Sequence, residues 1–192
     1  MKKFKCILVG ESNVGKSCII NQYFDQQFSD EYTATYSNER SIKKIKINDT
    51  EISLEVWDTA GQERYRTLSQ MFIKNTQIAL LVYDITNRKS FEELNYWYNL
   101  ICEENDKNKM IFGVIANKND LYKKQKVFLE EGKKYSDSIN SSFFETTAKD
   151  YESINNAFNQ LVDIYLKKGF QPENTKGTQI QKNNKVEKKK CC

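Results

Sequence analysis

Histidine is absent from the 192 residues, which excludes Ser-His-Asp chemistry and any imidazole metal centre. Proline occurs once, at Pro172. No apolar run approaches 18 residues and no signal peptide opens the chain, so no membrane-spanning segment is expected. The five cysteines, Cys6, Cys18, Cys102, Cys191 and Cys192, fit neither a zinc-site spacing nor a disulfide framework. A reducing, cytosolic setting is therefore expected. Charge of one sign is also scarce over most of the chain. Residues 1–170 hold 24 basic and 24 acidic side chains, and the whole excess of +4 falls in residues 171–192, with six Lys and two Glu. A nucleic-acid-binding domain would be basic on its own body, so no nucleic-acid partner is expected. A short basic tail suits an anionic membrane surface instead. The length fits one domain, residues 1–170, followed by a tail, residues 171–192, rich in Gln, Asn, Lys and Thr and expected to be disordered.

Gly10-Glu11-Ser12-Asn13-Val14-Gly15-Lys16-Ser17 fits the phosphate-cradling pattern G-x-x-x-x-G-K-[ST]. Lys3 to Val9 before it reads as a strand and Lys16 to Phe24 as the start of a helix. A loop wrapped around an anion must turn its N–H groups inward, and Gly10 and Gly15 permit the required dihedrals and close approach. The helix N-terminus adds partial positive charge. Lys16 is placed to reach the β- and γ-phosphates, and the Ser17 hydroxyl to bind Mg²⁺.

About a hundred residues later, Asn117-Lys118-Asn119-Asp120 follows the apolar run Met110 to Ala116, read as a buried parallel strand. Loops after parallel strands are where α/β proteins hold ligands. A carboxylate only accepts hydrogen bonds, so Asp120 suits the two adjacent donors of guanine, N1–H and the exocyclic amine. Asn117 would brace the base and the neighbouring loops, and the Lys118 stem would lie along the ring. Asp58-Thr59-Ala60-Gly61-Gln62 closes a third strand, Ile52 to Trp57. There Asp58 would hold Mg²⁺ through water, the Gly61 N–H would sense a γ-phosphate, and Gln62 would orient the attacking water.

With these motifs, and with WDTAGQERYRTL (Trp57 to Leu68), LLVYDITN (Leu80 to Asn87) and the terminal Cys191-Cys192 pair, the chain resembles a Rab protein of the Ras superfamily of small GTPases. The resemblance spans roughly Lys3 to Lys168. It implies a P-loop NTPase-type three-layer α/β fold: a six-stranded, mostly parallel sheet with one antiparallel edge strand and helices on both faces. It implies that Phe28 packs on guanine, that Tyr32 closes over the phosphates, and that Thr35 binds Mg²⁺ only beside a γ-phosphate. Glu145-Thr146-Thr147-Ala148-Lys149 resembles the ETSAK loop, with Thr147 where Ser is usual. Thr147, the Ala148 N–H and Lys149 then belong to the base site, and Cys18 to the phosphate end. The resemblance further implies GTP or GDP with Mg²⁺, an exchange factor, a GTPase-activating protein, a prenyl chaperone (a GDI or escort protein) and effectors. Geranylgeranyl groups on Cys191 and Cys192 would hold the chain on the cytoplasmic face of an endomembrane, cycling with the cytosol, as a monomer.

One stretch departs from the pattern. Rab proteins usually read Ile-Gly-Val-Asp-Phe after the switch threonine, whereas this chain reads Tyr36-Ser37-Asn38-Glu39-Arg40. Trp57 and Phe72 match two of three effector-surface aromatics, and Arg40 replaces the third. Two readings stay open: an atypical partner, with Arg40 over Trp57, or a switch that has drifted. At the level of class, the reading is a slowly hydrolysing GTP/GDP switch in vesicle trafficking. The competing class is a GTP-binding interaction module that cycles little. A P-loop kinase or ATPase would lack Asn-Lys-x-Asp.

The remaining elements follow from pattern. Ser41 to Ile47, with alternating Ile and Lys, predicts an edge strand turning at Asn48-Asp49, and Ile78 to Tyr83 a buried strand. Ser90 to Glu104 predicts one helix, with Ser90 as its cap and Glu93 completing a capping box. Val127 to Asp137 predicts a helix and Phe143-Phe144 the start of a short strand. Tyr151 to Lys168 predicts a helix with Ile154, Ala157, Phe158, Leu161, Val162 and Tyr165 on its core face.

Overall fold

The computed structural model describes residues 1–28, 39–59 and 72–170. Tyr32, Thr35, Gly61, Gln62, Cys191 and Cys192 lie outside the described residues, as does most of the departing stretch, Tyr36 to Asn38.

The chain alternates strand and helix where the apolar runs predict it. β1 is Lys2–Val9, α1 is Lys16–Asp25, β2 is Glu39–Ile47, β3 is Thr50–Asp58 and β4 is Ile78–Asp84. Next come α2, Arg88–Glu92, α3, Leu94–Glu104, β5, Ile111–Asn117, α4, Leu129–Ser138, β6, Ser142–Glu145, and α5, Tyr151–Lys167. The six strands lie in the order β2-β3-β1-β4-β5-β6. All neighbours are parallel except β2 and β3. The antiparallel pair turns at Asn48 and Asp49, both with positive φ (47° and 61°). Two-residue hairpins need that conformation, and Asn and Asp tolerate it best after Gly.

β4 and β5 are buried along their whole length, as strands covered on both faces must be. On one face Ile19, Ile20 and Tyr23 of α1 pack with the α5 stripe Ile154, Ala157, Phe158, Leu161, Val162 and Tyr165 against Phe4, Cys6 and Leu8. On the other, Leu94, Trp97 and Ile101 of α3 cover Ile7, Val9, Ala79 and Leu81, with Phe91 of α2 and Leu129 and Tyr135 of α4 at the margin. Each large side chain so buried contributes about 1.5–3 kcal/mol. The α5 stripe is therefore the core face that its 3.6-residue period predicts.

The single helix predicted over Ser90 to Glu104 is not what forms. The helix begins two residues earlier, with Asn87 as its N-cap, and is interrupted at Glu93. Ser90 lies inside α2, fully buried, and forms no capping box. Its hydroxyl instead donates to the Asn87 carbonyl (2.7 Å) and accepts from the Asp84 N–H (3.0 Å). The physical reason is that the last N–H of β4 is buried and needs an acceptor. Half of a capping box forms where none was predicted, at α4: the Glu131 carboxylate accepts from the Phe128 N–H (3.1 Å), while the Phe128 side chain has no acceptor to return the bond. That helix starts later than Val127, because the Lys126 and Val127 N–H groups are bound to the Ile85 carbonyl.

Parallel pairing brings the C-terminal ends of β1, β4, β5 and β6 to one edge of the sheet, and β3 ends beside them. Asp84 and Asn117 are direct neighbours there, and Leu8 is opposite Asp58.

Candidate nucleotide site

Between β1 and α1 the chain forms a closed loop. Gly10 has φ 148° and Gly15 φ 96°. A Cβ on Gly10 would lie 2.2 Å from the Val82 carbonyl oxygen, and one on Gly15 2.5 Å from Asn117 Nδ2. Both positions are therefore closed to any side chain. Lys16 is buried, and its ammonium donates to the Gly10 and Glu11 carbonyls (2.9 and 2.8 Å). Burial pulls its pKa down to about 8, against the opposing pull of Asp58 and Glu11. A buried ammonium curled into its own loop is placed to exchange carbonyl oxygens for phosphate oxygens.

Ser17 Oγ donates to Asp58 Oδ2 at 2.5 Å, so a hydroxyl and a carboxylate from different elements meet at the mouth of the loop. These are the hard oxygen donors that suit Mg²⁺, which binds proteins through few ligands and completes its shell with phosphate and water. The residues present fit the ion. Cys18, the next residue of α1, packs its side chain against the core on the α5 side.

The second loop cluster is tied to the first. Asn117 has no exposed surface. Its Nδ2 donates to the Val14 carbonyl (2.7 Å), and its Oδ1 accepts from Thr146 Oγ1 (3.2 Å). One amide thus joins three loops. Lys118 adopts a left-handed φ of 64° and donates to the Asn13 carbonyl (2.7 Å) while pairing with Asp84 (2.7 Å). Its stem is thereby stretched between the loops. Asp120 accepts from Thr147 Oγ1 (2.8 Å) and pairs with Lys149 (3.2 Å). Partial burial alone would raise its pKa, but these bonds outweigh it and hold the carboxyl below its usual range. The Lys149 ammonium also stands 5.2 Å from the centre of the Phe28 ring. Phe28 is 37% exposed, so an aromatic face, a carboxylate and a bridging lysine surround one opening. Thr147 provides the hydroxyl that Ser would, and Ala148 is buried behind it.

Asp84 and Thr146 are the contributors that motif reading missed. Asp84 ends a wholly apolar strand beside Asn117, and a polar residue at that end of a buried parallel strand was the available signal. Thr146 is buried and gives no local sign of its bond to Asn117. Thr59 adds a further tie, donating from Oγ1 to the Leu8 carbonyl (2.5 Å).

Beyond the nucleotide end, Arg40 is directly opposite Trp57 in the β2–β3 register. Its guanidinium lies 5.9 Å from the indole centre and 3.6 Å from Glu55. Lys5 Nζ approaches the same indole to 5.0 Å, and Phe72 packs 5.6 Å from it. The Arg40-over-Trp57 arrangement is therefore real, and two cations now flank the tryptophan.

Comparison with known proteins gives a consistent picture. A model of the Ras family matches residues 5–167. Ras-related protein Rab-13 of Bos taurus is 37% identical over 183 residues, covering 95% of this chain and 86% of its own length. Ras-related protein RabQ of Dictyostelium discoideum is 36% identical, with 98% and 97% covered. Ras-related protein SEC4 of Candida albicans is 30% identical, with 98% and 93% covered.

Proposed function

We propose that this chain, which belongs to the Ras family as a Rab-type small GTPase of vesicle trafficking, works as a guanine-nucleotide switch that is slow when alone. The observation that carries the base assignment is the Asp120–Thr147–Lys149 cluster facing Phe28. In this reading Asp120 accepts from guanine N1–H and the exocyclic amine, Phe28 and the Lys118 stem flank the ring, and the Ala148 N–H meets guanine O6. Asn117 holds the base loop against the phosphate loop, so base and phosphate recognition are rigidly spaced. The N–H groups of residues 12–18 and the Lys16 ammonium face the phosphates. Ser17 would hold Mg²⁺ directly and Asp58 through water, and the ion when bound neutralises charge on the β- and γ-phosphates.

Thr35, Gly61 and Gln62 complete the mechanism. Thr35 and the Gly61 N–H read the γ-phosphate, Tyr32 closes over it, and Gln62 orients the attacking water. Loss of the γ-phosphate releases the segment carrying Tyr32 and Thr35 and the segment carrying Gly61 and Gln62, and effectors and regulators read the difference. Hydrolysis by such a site alone is slow, about 10⁻⁴ s⁻¹ in the related Ras case. Among the described residues no arginine is placed to stabilise the transition state in cis, and in this reading an activating protein supplies that charge. The domain, residues 1–170, is carried on a membrane by residues 171–192 through lipid on Cys191 and Cys192. Gln62→Leu tests the switch. It should retain guanine nucleotide, released and identified after denaturation, while single-turnover hydrolysis falls at least tenfold. Unchanged hydrolysis removes Gln62 from its role.

The alternative, a GTP-binding module that cycles little, is favoured by one observation, the Arg40 substitution on the effector side. A Rab-activating protein separates the two: acceleration of hydrolysis supports the switch, and none supports the module.

A further inference from the structure

Two aromatic side chains on one short segment stand in solvent where the fold makes little use of them. Tyr122 is 58% exposed and Phe128 56%. Tyr122 belongs to a short 3-10 helix, Asn119–Lys124, that follows β5. Phe128 is the N-cap of α4. That position favours Ser, Thr, Asp or Asn, whose side chains accept from the first turn of the helix. A phenyl ring accepts nothing there, and one so exposed contributes little to the core.

The segment is nonetheless firmly held. Val127 is buried, and the Lys126 and Val127 N–H groups both donate to the Ile85 carbonyl (2.7 and 3.1 Å). The Gln125 N–H closes a turn onto the Tyr122 carbonyl (3.2 Å). Between the two rings stand Lys123, Lys124 and Lys126, all exposed. The Lys123 ammonium lies 5.9 Å from the centre of the Tyr122 ring. Residues 121–129 contain no acidic side chain. Among the described residues, none of the three lysines has a carboxylate within ion-pair distance. The flanking acids are engaged elsewhere, Asp120 with Lys149 and Glu131 with Arg88. The exposed residues of α4 are balanced, Glu130 and Asp137 against Lys133 and Lys134, so the positive excess is confined to the loop.

We propose that residues 122–128 are a membrane-contact segment, seating the Tyr122 and Phe128 rings among the headgroups of an anionic phospholipid bilayer while Lys123, Lys124 and Lys126 meet its negative charge. Aromatic rings settle at the membrane–water interface, and lysines beside them are drawn by the negative surface potential. The charge pattern selects this occupant over an acidic protein. No acid within the segment sets a register, so the attraction is to negative charge in general, as a fluid anionic surface presents it. Because the segment begins two residues after Asp120, the contact turns the base end of the sheet toward the bilayer. A lipid anchor on Cys191 and Cys192, which rests on the Rab-type reading, would make the contact intramolecular, so a weak surface suffices. The surface chemistry itself does not need the anchor.

The test is sedimentation of the full chain, without lipid on its cysteines, with vesicles of phosphatidylserine and phosphatidylcholine. The basic tail is the same in every variant, so its own attraction is common to all. The Lys123→Glu, Lys124→Glu, Lys126→Glu triple variant should bind at least about tenfold more weakly, and the triple Lys→Arg variant should bind like the parent. Tyr122→Ser with Phe128→Ser should weaken binding about threefold or more and leave its salt dependence intact. Phe128→Trp adds an indole that brominated-lipid vesicles should quench beyond Trp57 and Trp97 of the parent. Equal vesicle binding by the parent and both loss variants assigns the attraction to the tail and overturns the inference. An added indole quenched no more than those of the parent also overturns it, as does no vesicle binding by the parent. A glutamate-rich peptide, titrated by anisotropy, stands for an acidic protein; its lysine-dependent binding without vesicle binding overturns the inference too. Nucleotide content after denaturation is read in parallel. Parent protein without guanine nucleotide counts against the Rab-type reading alone, and a variant that keeps its nucleotide is shown to be folded.

Discussion

Lys16 and Asp120 are the residues whose surroundings have the most direct consequence. Lys16, with its pKa lowered to about 8 by burial, is largely charged at neutral pH and loses its proton as pH rises through 8. Phosphate oxygens beside it favour the charged form and restore the proton. Nucleotide binding at about pH 9 should therefore take up close to one proton, and at pH 7 almost none. Calorimetry in two buffers of different ionisation heat measures this directly; no uptake at the higher pH removes Lys16 from the phosphate site. At Asp120, the Thr147 and Lys149 bonds keep the carboxylate ionised, as an acceptor for two donors requires. Asp120→Asn should weaken GTP at least a hundredfold and xanthosine triphosphate far less. Competition binding decides it, and equal losses contradict the base assignment.

Among the elements, the α2–α3 segment shows most clearly how a local pattern can be outvoted. Ser90 followed by Glu93 is a capping signal, but the buried N–H at the end of β4 claims the Ser90 hydroxyl. Ser90→Ala leaves that N–H without its acceptor and should cost about 1–3 kcal/mol in denaturant unfolding. Because Asp84 pairs with Lys118, nucleotide dissociation should also quicken. A purely local cap would cost stability and leave dissociation alone. By contrast, α5 and the β2–β3 hairpin match their patterns closely. Their signals, a 3.6-residue stripe and an Asn-Asp turn between alternating strands, are satisfied by contacts that the pattern itself specifies.

At the scale of the whole molecule, residues 1–170 carry no net charge, while residues 171–192 carry the whole excess of +4 and include Cys191 and Cys192. Lipid on both would give the two-signal anchoring that one chain cannot. Removing Cys191 and Cys192 should leave the protein in the soluble fraction of fractionated cells, and continued sedimentation with membranes contradicts the anchor. The sequence by itself determined the order of strands and helices and the family. Those rest on short-range signals: apolar runs, glycines at fixed spacing, and a loop motif after each strand. It also supplied nearly all the residues of the proposed nucleotide site. Tertiary structure alone decided how they are joined. Asn117 reaching Val14, Lys118 spanning Asn13 and Asp84, and Thr147 and Lys149 holding Asp120 are bonds between distant segments, and only parallel pairing of the strands brings their ends to one edge.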